Sequence, residues 1–231
     1  MPLLVDLIRL LANEVVHCEP NELVLVENCT YAFNSVLNSL NLKPGDKILT
    51  FSTTYGSYKK ILRAECVKKG AVLVEEPIKF PIQTKTDLHN QYVLKLNEIL
   101  NEDSDKKELK YILVDHIPSN SPFLVPVKPM ADLCKSIRPD IVFIVDGAHS
   151  LGSVSNFSIK ELSNVDIFFG NFHKWLCGPK GTAFLFKSNK INFKITPAVQ
   201  SHGFSKSFLS EFIWSGLREY SSYLGSYILK F

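Results

Sequence analysis

The chain lacks any apolar run that approaches the ~18 consecutive residues of a membrane-spanning helix. Its first residues include an acid, Asp6, and no basic segment, so they do not match a secretory signal peptide. We therefore expect no membrane association.

Cysteine is scarce and scattered, with five residues in all: Cys18, Cys29, Cys66, Cys134 and Cys177. An odd number without a recurrent spacing favours reduced thiols in a cytoplasmic protein over a disulfide framework or a zinc site. Asp146 with His149, or Asp115 with His116, lacks a third ligand at a recurrent spacing, so no metal site is predicted.

The chain has only a small excess of positive charge: 26 basic and 23 acidic residues give a net charge of +3, and no long basic run occurs. Nucleic-acid binding is therefore not expected.

Two motifs of catalysis or nucleotide binding are also missing. No Gly-x-Ser-x-Gly marks a serine hydrolase, and the absence of Gly-x-Gly-x-x-Gly argues against a dinucleotide-binding domain.

What the chain does have is a regular alternation of short apolar runs with helical patterns. This alternation predicts an α/β fold, with a mainly parallel sheet sandwiched by helices. The acidic and basic segment 101–110 is interpreted as a solvated surface. Both termini lie in apolar-periodic stretches, residues 3–15 and 220–231, which we expect to be exposed and to cover absent neighbours.

Polar or reactive side chains follow five of the predicted strands. In parallel sheets ligands lie beyond the carboxyl ends of the strands, so one site is expected there. The segments concerned are Asn28-Cys29-Thr30, Thr53-Thr54-Tyr55, Asp115-His116, Asp146 and His173-Lys174.

The most informative pair among them is Asp146 and Lys174. Lysine supplies the amine of a Schiff base with pyridoxal phosphate, and a carboxylate keeps the pyridine nitrogen protonated so that the ring accepts electrons. A buried run that ends in Asp146, followed by another that leads to His173-Lys174, is the arrangement such an aldimine needs. The two residues are predicted to be catalytic.

Each remaining candidate has a second interpretation. The Asn28–Thr30 loop could bind phosphate at a helix N-terminus, or simply cap the helix. Tyr55 could contact a cofactor ring or be an ordinary loop residue. His116 could meet the ring oxygen or be a buried, satisfied histidine. His149 could bond the ring oxygen or press on the ring face. Asn171 and His173 could both donate to phosphate, whereas Lys180 is expected at the surface.

The chain resembles the class V aminotransferase family of fold-type I pyridoxal-phosphate enzymes, and within it the isopenicillin N epimerase-like branch. The resemblance covers residues 1–231 as a cofactor-binding large domain, truncated at both ends, with a C-terminal small domain missing. The matching segments are 26–30, 54–57, 115–119, 145–150, 170–181 and 214–219.

The resemblance implies that Lys174 forms the aldimine and then shuttles the substrate proton, that Asp146 pairs with the ring nitrogen, and that His149 contacts the ring oxygen. Asn28, Cys29, Thr30, Asn171 and His173 would surround the phosphate. Two departures stand out. Thr53 replaces a ring-stacking histidine, a part that Tyr55 could take, and Leu217 replaces a threonine through which a partner subunit reaches the phosphate.

The expected function is that of a pyridoxal-phosphate enzyme, of transferase or lyase type, with a small amino acid as substrate. Transamination, epimerisation and carbon–sulfur cleavage all stay open, and the resemblance implies a homodimer in the full-length form. The alternative is a catalytically inactive fragment that keeps the fold and the ability to bind cofactor. None of the five cysteines can be assigned the catalytic role that a cysteine has in desulfurases.

Overall fold

The structure is a computed structural model that describes residues 2–216 and 219–228. Seven strands form one sheet, in the order β1-β7-β6-β5-β4-β2-β3, and helices connect them. The α/β class predicted from the sequence is confirmed. By contact density the chain divides into two compact units. The first contains residues 1–40, 147–161 and 168–231, and the second contains residues 41–146 and 162–167.

The first unit carries both sequence termini and the strands that follow Lys174 and precede Asn28. Its elements are α1 (Pro2–Leu11), β1 (Leu23–Val26), α2 (Cys29–Ser39), all but the first residue of β6 (Ile167–Asn171), β7 (Ala183–Lys187), α7 (Phe208–Ile213) and α8 (Ser221–Ile228). Here β1 pairs with β7 in antiparallel register, with Leu23 opposite Phe186. The sheet is therefore mixed at this edge, within a mainly parallel arrangement.

The apolar stripe of α1 is packed inside this unit. Leu4, Leu7, Ile8 and Leu11 are buried, and a π-helical turn over Ala12–Val16 continues the helix. The expectation that residues 3–15 expose their apolar face was wrong, although Leu3 itself is exposed. A helical stripe shows that a face is apolar, but not whether the partner that covers it belongs to the same chain.

The second unit contains the parallel part of the sheet. Its elements are β2 (Lys47–Phe51), α3 (Gly56–Lys69), β3 (Val72–Glu76), α4 (Lys85–His89), α5 (Lys95–Glu102), β4 (Leu109–Asp115), α6 (Val127–Ile137) and β5 (Val142–Asp146). Strand β2 pairs in parallel with both β3 and β4, and β4 pairs in parallel with β5. The register of the last pair sets Asp115 opposite Asp146.

The segment 101–110 is not simply a solvated surface. Asp103 is buried, and its carboxylate accepts hydrogen bonds from the backbone N–H groups of Glu108 and Leu109 and from Arg138 at 2.6 Å. Arg138, also buried, donates to the carbonyl oxygen of Leu109 at 3.2 Å. This ion pair fixes the start of β4 against the end of α6.

Backbone hydrogen bonds hold the residue just before β6 and the residue just after β5. The N–H of Asp166, just before β6, donates to the carbonyl of Phe143, and the N–H of Gly147, just after β5, donates to the carbonyl of Phe169.

Within the part of the chain that the structure describes, no helix combines the length and the apolar character needed to cross a membrane. Across residues 2–216 and 219–228, no group of three or more histidine, cysteine or acidic side chains is arranged to hold a metal ion.

Candidate active site

Lys174 lies in the turn that follows β6, and its side chain is half-buried. Its Nζ is 3.1 Å from Nε2 of His149, a residue 25 positions earlier in the chain. The other ring nitrogen of His149, Nδ1, accepts a hydrogen bond from the indole N–H of Trp175 at 2.9 Å. The three side chains thus form a short hydrogen-bonded series with the histidine at its centre.

The segment that carries His149 begins directly after β5 and is held close to the Lys174 turn. Gly147 donates to Phe169, and Ser150 donates back to Gly147 at 2.9 Å. Gly152 adopts a φ of +79°, and a Cβ there would stand only 2.4 Å from the carbonyl oxygen of Trp175. Glycine is therefore required at this position by both the backbone conformation and the close approach.

The surroundings of His149 favour its neutral form. Partial burial lowers the pKa of His149, and the nearby positive charge of Lys174 lowers it further. A neutral imidazole has one N–H donor and one acceptor nitrogen. His149 can therefore accept from one neighbour while donating to another.

Asn171, the last residue of β6, ties the same turn to the N-terminus of α2. Its side-chain oxygen accepts a hydrogen bond from the backbone N–H of Cys29 at 3.1 Å, and both residues are buried. Asn28 is the N-cap of α2, because its side chain accepts from the N–H of Tyr31 at 2.8 Å. The capping interpretation is thus confirmed for Asn28, while Thr30 is exposed beside it.

His173, between Asn171 and Lys174, has a fixed orientation as well. The backbone N–H of Thr182 donates to its Nδ1 at 3.2 Å. Burial lowers the pKa of His173. In the neutral ring, an Nδ1 that accepts this hydrogen bond leaves the proton on Nε2. Lys180, in the same turn, is exposed as predicted.

The second unit contains three further candidates, Asp146, His116 and Tyr55. Asp146 ends β5 and is buried, with 5% of its surface exposed. The backbone N–H of His116 donates to the carbonyl of Asp146 at 2.8 Å, so the two strand ends are held together. His116 is buried, and that burial lowers the pKa of its ring to about 4.

Tyr55 follows β2 and is positioned through its backbone. Its N–H donates to the carboxylate of Asp115 at 3.1 Å, and its ring meets the ring of Tyr58 edge-on, with centroids 5.2 Å apart. Tyr55 as a whole residue is 42% exposed. Thr53 is buried, and its hydroxyl lies 2.7 Å from the hydroxyl of Tyr92.

Within the first unit, Lys174, two histidines and the N-terminus of α2 therefore lie close together. The family model described as "Aminotransferase class-V" matches residues 4–215. The chain belongs to the aminotransferase class-V family. The resemblance inferred from the motifs is therefore confirmed at the level of the family.

Two curated relatives and one solved structure illustrate this membership. An L-cysteine desulfhydrase from Arabidopsis thaliana is 30% identical over 213 residues, which are 88% of this chain and 45% of the relative. Isopenicillin N epimerase from Streptomyces clavuligerus is 26% identical over 170 residues, 72% of this chain and 39% of the epimerase. The chain thus spans less than half the length of these relatives.

The solved structure is a mutant of C-DES with glycine covalently linked to its PLP cofactor. It matches with a TM-score of 0.77 and 20% sequence identity, over 97% of this chain and 58% of that one. At this identity the match shows that the two proteins share a fold.

None of the five cysteines of this class-V family member forms a disulfide. Four are buried, and burial raises the pKa of the Cys18 and Cys134 thiols to about 12. Cys177, three residues after Lys174, is exposed, and its Sγ lies 3.9 Å from the carbonyl oxygen of Trp175.

Trp175 and Gly152 are the residues near Lys174 to which the sequence assigned no role. Adjacency to the lysine was the available signal for Trp175, but sequence does not give the direction of an exposed indole. The Leu217 position, where the partner-subunit contact was in question, lies outside the described residues, as does Arg218 in the same motif.

Proposed function

We propose that the chain is the cofactor-binding domain, spanning residues 1–231, of a pyridoxal-phosphate-dependent enzyme that acts on a small amino acid. The observation that carries the proposal is the 3.1 Å contact between Lys174 Nζ and His149 Nε2, in a chain of the class-V family. When bound, pyridoxal phosphate supplies an electron sink that lets a bond at or beyond the substrate α-carbon break.

The donor set fits this cofactor. Lys174 offers an amine, which bonds covalently to an aldehyde. The N-terminus of α2 and the Asn28–Thr30 loop offer backbone N–H groups and a helix dipole suited to a phosphate. Asn171 contacts that loop, and His173 is adjacent to Lys174 in the sequence. Asp146 offers a buried carboxylate, which suits a protonated ring nitrogen.

Each residue then has a proposed part. Lys174 would hold the cofactor covalently and, as a free amine, would take and return the proton of the substrate α-carbon. Asp146 would keep the ring nitrogen protonated. His149 would orient the lysine nitrogen and the ring oxygen. Cys29, beside Asn28 and Thr30, contributes through its backbone. We assign Tyr55 to the face of the cofactor ring and His116 to the ring oxygen.

Among the possible reactions we favour carbon–sulfur cleavage of a cysteine-type amino acid, over transamination and epimerisation. Support comes from the Arabidopsis relative, which is named an L-cysteine desulfhydrase. A catalytic cysteine is not part of this proposal. The thiols of Cys18 and Cys134 are buried and have raised pKa values, which disfavours the reactive thiolate.

A homodimer and a cytoplasmic location complete the proposal. The absence of disulfides among the five cysteines suits a reducing compartment. Light scattering of the cofactor-loaded protein measures the first property, and a dimer mass is the expected result.

The test is an absorbance titration of the chain with pyridoxal phosphate. We expect a visible band, distinct from that of the free cofactor, in the wild type and in Lys180→Ala, and none in Lys174→Ala. A band that survives in Lys174→Ala contradicts the proposal. A normal band without any amino-acid turnover is the result expected of the inactive alternative.

A further inference from the structure

The direction of the hydrogen bonds that link Trp175, His149 and Lys174 follows from the chemistry of the indole ring. An indole nitrogen can only donate, because its lone pair belongs to the aromatic system. Nδ1 of His149, 2.9 Å from the indole nitrogen of Trp175, must therefore be the acceptor. That nitrogen carries no proton when the bond is made.

A neutral imidazole then has its single proton on the other nitrogen, Nε2. This is the nitrogen that lies 3.1 Å from Nζ of Lys174. An N–H aimed at an ammonium group makes no hydrogen bond, since an ammonium has no acceptor lone pair. The contact is a hydrogen bond in the free-amine form of Lys174, the form that reacts with an aldehyde, because only that form has a lone pair to accept it.

We propose that Trp175 is a positioning residue that fixes His149 in the Nε2–H tautomer, so that this N–H donates to the nitrogen of Lys174. The lysine lone pair is thereby directed and held before any aldehyde arrives.

Two further contacts hold Trp175 in place. The backbone carbonyl of Trp175 packs against Gly152, at a distance that leaves no room for a Cβ. The indole ring also lies beside the imidazole, with centroids 6.3 Å apart and planes tilted by 50°. Yet the side chain is 61% exposed, so its replacement by phenylalanine removes the N–H without opening a cavity in the core.

The consequence for cofactor capture rests on the proposed function, whereas the tautomer assignment does not. The first experiment therefore uses the 231-residue chain without cofactor, labelled with ¹⁵N in its histidines. Long-range ¹H–¹⁵N correlation spectra distinguish a protonated from an unprotonated ring nitrogen, and His149→Gln identifies the signals of His149 among the six histidines.

We expect an unprotonated Nδ1 and a protonated Nε2 for His149 in the wild type. Trp175→Phe is expected to shift His149 to a mixture of the two tautomers. Trp214→Phe removes the other tryptophan of the chain and is the matched control, with His149 signals as in the wild type. A protonated Nδ1 in the wild type, or an unchanged His149 in Trp175→Phe, overturns the proposal.

The second experiment measures how fast pyridoxal phosphate is captured on Lys174, by borohydride trapping at successive times. Loss of one directed hydrogen bond is expected to slow capture in Trp175→Phe by roughly threefold to tenfold relative to Trp214→Phe. Equal rates overturn the positioning role.

The two proposals fail in different ways. If the wild type traps the cofactor on Lys174 but His149 is protonated on Nδ1, the tautomer assignment is wrong and the proposed function stands. If His149 has the expected tautomer but no cofactor is trapped on Lys174, the assignment stands and the proposed function is wrong.

Discussion

The side-chain oxygen of Asn171 accepts a hydrogen bond from the backbone N–H of Cys29 at 3.1 Å, across 142 residues of sequence. The bond joins the end of β6 to the first residue of α2. It thereby places the turn that carries Lys174 next to the helix N-terminus proposed to bind phosphate. Because both groups are buried, the position of each segment depends on the other.

Replacing Asn171 with alanine is expected to lower the free energy of unfolding by about 1 kcal/mol, the net value of one buried hydrogen bond. It should also weaken the binding of pyridoxal phosphate. Urea unfolding and the absorbance titration measure the two effects. Asn189→Ala removes one exposed side-chain hydrogen bond, which Nδ2 donates to the side-chain oxygen of Asn21, and should cost less than about 0.5 kcal/mol. An equal cost in the two variants contradicts the account.

Replacing Arg138 with methionine should destabilise the chain by about 3–5 kcal/mol, because it leaves the buried carboxylate of Asp103 without its ion-pair partner. Arg9→Met breaks a pair with Asp6 whose side chains are 63% and 59% exposed, and should cost about 0–1 kcal/mol. Denaturant midpoints compare the two variants. Similar losses would show that the Arg138 pair is not a buried anchor of β4.

His116 predicts part of the acid sensitivity of the fold. Its pKa falls from about 6.5 in an unfolded chain to about 4 in the folded one. Between these pH values His116 is protonated in the unfolded chain but not in the folded chain. The free energy of unfolding therefore decreases as the pH falls from about 6.5 to about 4. The loss from this residue is at most roughly 3 kcal/mol.

The check is the unfolding free energy of His116→Asn at pH 4.5 and at pH 7, with the exposed His89 replaced in the same way as the control for a lost imidazole. His116→Asn should show a smaller difference between the two pH values than the wild type. If the wild type and His116→Asn lose the same free energy of unfolding between pH 7 and pH 4.5, the pKa of His116 is not lowered in the folded chain.

Asp146→Ala separates cofactor capture from catalysis. The lysine amine is intact, so borohydride should still attach the cofactor to Lys174. Any turnover that the wild-type chain shows, followed as sulfide or keto-acid release, should fall on the order of a hundredfold or more, because the ring nitrogen loses its counter-charge. Asp6→Asn, an exposed acid, is the control. Full turnover in Asp146→Ala would rule out the proposed part of this carboxylate.

The sequence predicted well those features that depend on local pattern. The alternation of strands and helices and the strand-end position of Asp146 both follow from periodicity. The antiparallel edge pair β1–β7 could not be read in this way, because an apolar run does not specify the direction of its neighbour.

The features that depend on long-range partners were missed. Asp103 looks like a surface acid, since the Arg138 that buries it is 35 residues away. The apolar stripe of α1 looks exposed in the sequence, but in the folded chain it is buried against other residues. The role of Trp175 depends on where its indole N–H points, which is a property of the folded turn.

The most direct test of the central claim is to find the lysine that pyridoxal phosphate modifies. The chain is incubated with the cofactor, reduced with borohydride and digested, and the peptides are analysed by mass spectrometry. The account predicts one phosphopyridoxyl group on Lys174, lost in Lys174→Ala and retained in Lys180→Ala. An adduct on Lys180 or another lysine, or no adduct with the folded wild-type chain, would contradict it.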